Sequence, residues 1–480
     1  MEKNYNAHTE NLPMQAAWRP LHAGFSCLLI VLLAVIGRDN VFAQAWVNVG
    51  SPGFSAGQAE GTTIAIDGSG TPYVVYRDDS SGVGYASVMK YNGSSWVYAG
   101  SPRFSAGSVD NTYIAINGSG TPYVVYQDGS TSSGNATVMK FNGTGWVNVG
   151  SQGFSAGQAI TTTIAIDGTG TPYVAYEDAG NNSKATVMKF NGTSWVNVGS
   201  AGFSDSVAMY TSVAIGKNDT PFVAYQDYGY GYKATVMKFN GTAWVNVGSP
   251  GFSAAEAQFT SLAIDGNGTP YVVYKDNGNG LKATVMKYNG SGWVNVGSAG
   301  FSAGTIEFTS IAIDGSGSPY VTYADGHTST SGATVMKYDG SGWITYGNAG
   351  FSAGQVAGVS IAISGGVAPY VAYQDYSYSM KATVMKPGLW ATEVKNIANT
   401  SITDLTVFPN PGNGVFTLNV SASTNEPAQI TITNILGEKI KEYTITTNQE
   451  TEIQLDAPPG MYFLTAVTDE GVQSAKVLVK

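Results

Sequence analysis

Residues 154–199 read FSAGQAITTTIAIDGTGTPYVAYEDAGNNSKATVMKFNGTSWVNVG, and this unit of 49 or 50 residues recurs seven times along the chain. Four short apolar stretches stand out in each copy and are lettered a to d. In the first copy they run from Ile64 to Asp67, Pro72 to Tyr76, Ala86 to Tyr91 and Trp96 to Ala99. Each alternates or is rich in β-branched and aromatic residues, the pattern of a half-buried strand. Between c and d stands Asn-Gly at Asn92, Asn142, Asn191, Asn240 and Asn289, with Asp339-Gly340 in the sixth copy. These pairs accept the positive φ of a tight hairpin turn, so c and d are expected as antiparallel neighbours. Repeats of about 40 to 50 residues with four strands each are the mark of propeller blades.

The ends of the array are out of phase. The d-type tryptophans are Trp46, Trp96, Trp146, Trp195, Trp244, Trp293 and Trp343, and the first precedes any a, b or c stretch. After the last c stretch the motif stops at Pro387. Trp46 to Val49 is therefore expected to complete the seventh blade and close the ring, which would leave no exposed sheet edge. Trp390 is a rival for that slot, but its flanks Leu389 and Ala391 do not match the motif. The expected fold is all-β: a seven-bladed β-propeller over 46–390, closed by its N-terminal strand, followed by a small C-terminal β-sandwich.

Composition narrows the function classes. The chain has 480 residues, 61 glycines, 12% charged residues and a net charge of -10. Beyond residue 45 only two arginines remain, Arg77 and Arg103. A nucleic-acid surface needs clustered Lys and Arg, so no nucleic-acid partner is expected. The one cysteine, Cys27, lies in the N-terminal stretch, and His327 is the only histidine after it. Cys- and His-based metal sites and Ser-His-Asp or Cys-His catalysis therefore lack their parts. No cofactor is expected, with calcium the one cation that carboxylates and backbone oxygens could hold. The Asp-Gly-x-Gly stretch at Asp67, Asp167, Asp265 and Asp314 lacks the spacing of an EF-hand-type loop and reads as a hairpin turn.

Strand b ends on an aspartate in every copy: Asp78, Asp128, Asp178, Asp227, Asp276, Asp325 and Asp375. Two readings stay open. The carboxylate could accept backbone N–H groups at the loop entrance as an Asx-type turn, or seven carboxylates could meet sugar hydroxyls or a hard cation. The b to c loop that follows is the most variable part of the unit, and variable loops on a rigid scaffold are where recognition sits. Two of these loops are rich in tyrosine. The candidate ligand-binding residues are Asp227, Tyr228, Tyr230 and Tyr232 in the fourth copy, with Asp375, Tyr376 and Tyr378 in the seventh. Two readings stay open here as well: aromatic faces beside Asp suit carbohydrate, whose C–H faces stack while its hydroxyls hydrogen-bond, or a tyrosine-rich turn merely covers its neighbour. No residue is singled out as catalytic. The recurring Phe54, Tyr73 and Met89 positions are expected to pack between blades.

Residues 1–45 have the marks of a secretory signal peptide: Arg19, the apolar run Cys27 to Ile36, and Ala43-Gln44-Ala45 as a cleavage site. The run is too short to span a membrane, so no transmembrane segment is expected in the mature chain. After a linker over 391–404 the composition shifts, and residues 405–480 show alternating strands of a small sandwich. Here stand Phe408-Pro409-Asn410-Pro411 with Gly414, Asn434-Ile435-Leu436-Gly437, Pro459-Gly460-Met461-Tyr462, and the ending Lys476-Val477-Leu478-Val479-Lys480. This segment resembles the type A C-terminal sorting domain of cargo proteins of the type IX secretion system of Bacteroidota. The resemblance implies export across both membranes, the type IX machinery as a partner, and a secreted or outer-membrane surface location. The expected role is non-catalytic binding of carbohydrate or another surface macromolecule. Two alternatives stand beside it: a polysaccharide-degrading glycosidase or lyase, and a purely structural adhesion protein.

Overall fold

The computed structural model describes residues 45–328, 331–366, 368–388, 405–434, 439–468 and 471–479. The expected leader up to residue 44, the linker 391–404 and Trp390 lie outside the described residues. The chain divides into two compact units, 1–390 and 391–480.

The described part of the first unit consists of seven four-stranded antiparallel sheets. In the first copy strands a to d are Ala59–Ile66, Pro72–Asp78, Tyr85–Tyr91 and Trp96–Tyr98, hydrogen-bonded in that order. Five more sheets repeat this order with their own copies. The seventh is made of Val356–Ser364, Ala368–Asp375 and Lys381–Pro387, and its fourth strand is Trp46–Asn48. There Trp46 stands opposite Pro387 and Asn48 opposite Met385. The a strands of successive copies pack side by side, and that of the first copy also packs on that of the seventh.

Both faces of strand b are buried, because each sheet lies between two others. In the third copy Tyr173 and Ala175 face the fourth sheet, joining Val213, Val223 and Tyr225 in one cluster. Val174 and Tyr176 point the other way, onto Val125 and Val138 of the second sheet. A period of two thus serves two cores, and strand b reads as a near-continuous apolar run.

The phenylalanine and tryptophan series joins the sheets at their rims. Phe154 stacks on Trp195 of the next d strand, with centroids 4.2 Å apart and planes 10° apart. The Trp195 Nε1–H donates to Val149 O of the preceding sheet at 2.6 Å. Each copy repeats this pair, and Phe351 stacks on Trp46 at 4.1 Å and 8°. Trp46 likewise donates through Nε1 to Tyr346 O at 2.9 Å. Gly150, which follows the preceding d strand, has φ +73°, and a Cβ there would come 3.0 Å from both the Phe190 and Trp195 rings. The indole therefore sits on bare backbone.

Strand a is longer than the sequence suggests. It begins at Ala59 rather than Ile64 because a β-bulge between Glu60 and Thr63 interrupts the alternation. Every a strand carries such a bulge, with Gly61, Asn111, Thr161, Tyr210, Phe259, Phe308 and Gly358 at a left-handed backbone.

The second unit has two sheets. One orders Leu405–Phe408, Val415–Val420 and Thr451–Gln454; the other orders Lys439–Thr446, Pro427–Asn434, Gly460–Thr468 and Gly471–Val479. Alternate residues of both, among them Phe416, Leu418, Ile430, Ile432, Leu464 and Val477, form one core. Leu405–Phe408 ends on the phenylalanine that opens the Phe-Pro-Asn-Pro motif. The Phe-Pro-Asn-Pro motif has a structural task. Asn410 donates through Nδ2 to Lys476 O at 2.5 Å and accepts Leu478 N–H at 3.0 Å, tying the motif to the last strand. The Asn434 to Gly437 motif lies outside the described residues beyond Asn434.

Candidate functional site

The aspartates that end strand b are buried, between 0% and 2% exposed. In all seven, Oδ1 accepts the N–H two residues on, at 3.0 or 3.1 Å. Oδ2 accepts a hydroxyl from strand c, Ser87, Thr137, Thr186, Thr235, Thr284, Thr334 or Thr383, at 2.7 to 2.9 Å. Both oxygens are engaged within the sheet, which is the Asx-turn arrangement of the two readings. Burial pushes the Asp227 and Asp375 carboxyls up, against the Thr235 and Thr383 hydroxyls and the turn N–H groups that hold them down. Of the seven candidates, these two point into the blade.

The five tyrosines stand on the turns that the aspartates cap. Tyr228–Tyr230 and Tyr376–Tyr378 are single 3-10 turns, opened by Asp227 and Asp375. Tyr228 is 53% exposed, Tyr230, Tyr376 and Tyr378 are each 41% exposed, and Tyr232 is 38% exposed. Tyr228 and Tyr232 meet edge to face at 5.1 Å. Tyr230 lies over Gly251, where a Cβ would come 2.6 Å from the tyrosine Cβ, and Tyr378 lies over Gly53 at 2.7 Å. In the third and fifth copies the same place holds Asn181 and Asn279, which donate back to the capping aspartates. Tyr230 and Tyr378 thus take a position that the third and fifth copies fill with asparagine, and all five tyrosines leave part of their rings in solvent.

The Asp67-type turns lie at the other end of strand b. Asp67 Oδ1 accepts Ser69 and Thr71 N–H, each at 2.9 Å, so the carboxylate is spent on the hairpin. Among the described residues no group of three or more His, Cys, Asp or Glu side chains converges to hold a metal ion. Beside these turns, crevices recur at successive sheets, with volumes of 450 to 690 Å³. Each carries a strand b aromatic, a strand c lysine and a c to d turn, for example Tyr73, Lys90 and Asn92. Lys90 Nζ stands 5.9 Å from the Tyr73 ring centre, and Lys337 4.9 Å from that of Tyr320. The sequence reading favours packing for Tyr73, with an aromatic sugar platform as its second reading. Its signal was the lysine directly opposite on strand c, Tyr73 facing Lys90 in register.

Residues 406–480 match the family described as the secretion system C-terminal sorting domain. The second unit is thus a type IX secretion sorting domain, and the protein is destined for secretion or for the outer-membrane surface. No curated protein matches the sequence. Solved structures similar in chain course include a fungal alcohol oxidase of the AA5 family in complex with copper. It is 12% identical, with a TM-score of 0.48, over 90% of this chain and 98% of that one. A PL25 ulvan lyase is 15% identical with a TM-score of 0.44, over 72% and 95%. The six-bladed propeller lectin of Aleuria aurantia is 15% identical with a TM-score of 0.43, over 61% and 98%. At these identities and scores the likenesses speak to neither ligand nor reaction.

Proposed function

We propose that the seven sheets form a closed seven-bladed propeller, displayed on or released from the cell surface, that binds carbohydrate without transforming it. In this reading residues 1–45 are the leader, 46–390 the propeller, 391–404 the linker and 405–480 the exported tag that engages the type IX machinery.

The observation that carries the binding reading is the pair of tyrosine-bearing turns. Five phenol rings, 38% to 53% exposed, stand on turns whose backbone is fixed by buried aspartates. Tyr230 and Tyr378 cover Gly251 and Gly53 with one side and Tyr228 meets Tyr232, yet 38% to 53% of each of the five residues stays in solvent, where an aromatic face can stack on a ligand. Their C–H-stacking faces and phenolic hydroxyls match a sugar's alternating apolar and polar surfaces. Asp227 and Asp375 serve the site by holding the turns, and Tyr228, Tyr230, Tyr232, Tyr376 and Tyr378 make the contacts.

The test is a glycan and polysaccharide array on the purified protein, with and without calcium, repeated with Tyr228, Tyr230 and Tyr232 changed together to alanine. Specific hits that fade in the triple variant support the reading. A blank array, or hits indifferent to both tyrosine turns, rejects it.

A further inference from the structure

The seven copies agree most closely along strands b and c, and among the places where they diverge is the bulge of strand a. The bulge residues have φ between 49° and 59°, a conformation that favours glycine. Only Gly61 and Gly358 are glycine. The other five include the β-branched Thr161 and the bulky Tyr210, Phe259 and Phe308, for which this backbone is an outlier. Strain kept where glycine would remove it points to a use for the side chain.

All seven positions line one open cavity of 240 Å³ among the a strands. Its walls are unequal. One is an aromatic arc: Tyr210 and Phe259 have centroids 4.9 Å apart, Phe259 and Phe308 5.3 Å, and both pairs are tilted by 49°. The opposite wall is polar. Asn111 Nδ2 donates to Gln127 at 3.0 Å, and Thr161 Oγ1 lies 3.2 Å from Thr211 Oγ1. Gly358 and Gly61 leave the space between the two walls open.

The backbone around the cavity is held by a chain of threonines. Thr112, Thr162, Thr211, Thr260 and Thr309 each donate to the bulge carbonyl of the preceding sheet. The chain stops where the glycines stand: Val359 has no hydroxyl, and Thr62 donates to Ala59 O of its own strand. The charges that flank the bulges are mostly acidic. Lys275 meets Glu307 at 2.5 Å, while Arg77 is shared by Glu60, Asp79 and Asp110 at 3.6, 3.3 and 2.7 Å. The mouth therefore disfavours an anionic ligand, and it is apolar on one side and amide- and hydroxyl-bearing on the other.

We propose that this cavity is a single binding site for one neutral sugar ring at a chain end. The ring's C–H face would lie on Tyr210, Phe259 and Phe308, and its hydroxyls would meet Asn111 and Thr161. The proposal deepens the carbohydrate reading and rests on it, adding a site of one per molecule, separate from the tyrosine turns.

The backbone supplies its own test variants. Gly358→Phe puts into the seventh copy the residue the sixth carries at the same backbone conformation, so it fills the cavity at the cost of the strain that Phe259 and Phe308 already bear, and its melting temperature is read beside its binding. Phe308→Gly removes one aromatic face and relieves strain. Neutral methyl glycosides of glucose, galactose, mannose and fucose are titrated into the full protein by calorimetry and ligand-detected NMR. The expected result is one equivalent bound, an affinity loss of tenfold or more in either variant, and a melting temperature for Phe308→Gly equal to or above that of the parent. Binding unchanged in both variants overturns the proposal. So does a wild-type protein that binds none of the four glycosides. If polymer hits on the array persist in that case, the carbohydrate reading stands and the cavity assignment alone falls. If the array is blank as well, both fall.

Discussion

Replacing Trp46 by alanine measures what the N-terminal strand contributes. Trp46 is 8% exposed, stacked on Phe351 at 4.1 Å and bonded through Nε1 to Tyr346 O. Trp195, inside the array, is also 8% exposed, stacked at 4.2 Å and bonded to Val149 O. Removing a buried Trp to Ala costs about 3–5 kcal/mol. Unfolding entropy of ~2.1 cal/mol/K per residue over roughly 340 residues gives ~0.7 kcal/mol/K, so either change should lower the melting temperature by about 4–7 °C. Tryptophan fluorescence reports the first unit selectively, because residues 405–480 contain no tryptophan. The expected outcome is two equal losses, and deletion of residues 46–50 should cost at least as much. A Trp46→Ala protein that melts with the parent, while Trp195→Ala falls by the full amount, refutes ring closure by the first strand.

Three more outcomes follow from particular contacts. Asp178→Ala and Asp227→Ala each leave a buried threonine hydroxyl and a turn N–H without an acceptor, at about 1–3 kcal/mol per group. Both should melt early, but only Asp227→Ala, whose turn bears tyrosines, should weaken glycan binding; equal binding losses would contradict this. Burial pushes the Asp314 carboxyl up, but the Ser316 hydroxyl, the Ser318 N–H and Lys337 outweigh it, so it sits below its usual 3.8. Its contribution is then present above that value and lost as the pH falls through the lower, folded one, so Asp314→Asn should melt earlier than the parent at pH 7 and with it at about pH 2. Asp227 and Asp375, raised by burial, have the opposite sign: their contribution is full below 3.8 and fades as the pH rises through the raised value. Cell fractionation and immunoblotting of a chain lacking residues 405–480, expressed in a host with type IX secretion, should find the propeller in the periplasm; normal export would refute the tag's role.

The sheets were legible because each strand announces itself locally. Asn-Gly turns, β-branched runs and a tryptophan at fixed phase repeat often enough to fix the order a to d, and Trp46 standing alone at the front pointed to Lys381–Pro387 as its partner. What stayed hidden depends on neighbours. The bulge at Gly61 and its equivalents breaks the period of two, so strand a is readable only from Ile64 onward and the cavity that the bulges line does not show in the sequence. The aspartates left two readings open because a sequence gives their position but not the direction of the side chain. Asp227 turns inward to Thr235 and Gly229, whereas Tyr228 turns outward. The lysine–tyrosine crevices need cross-strand register, which only the folded sheet supplies.

The central claim is binding without turnover, and one experiment tests both halves. The best array ligand is incubated with the purified protein, binding is titrated to saturation, and the recovered saccharide is sized and assayed for new reducing or unsaturated ends. The account predicts saturable binding, weakened when the tyrosines of the fourth and seventh copies are removed, and a ligand recovered intact. Shortened chains or new ends would make the protein an enzyme and contradict it.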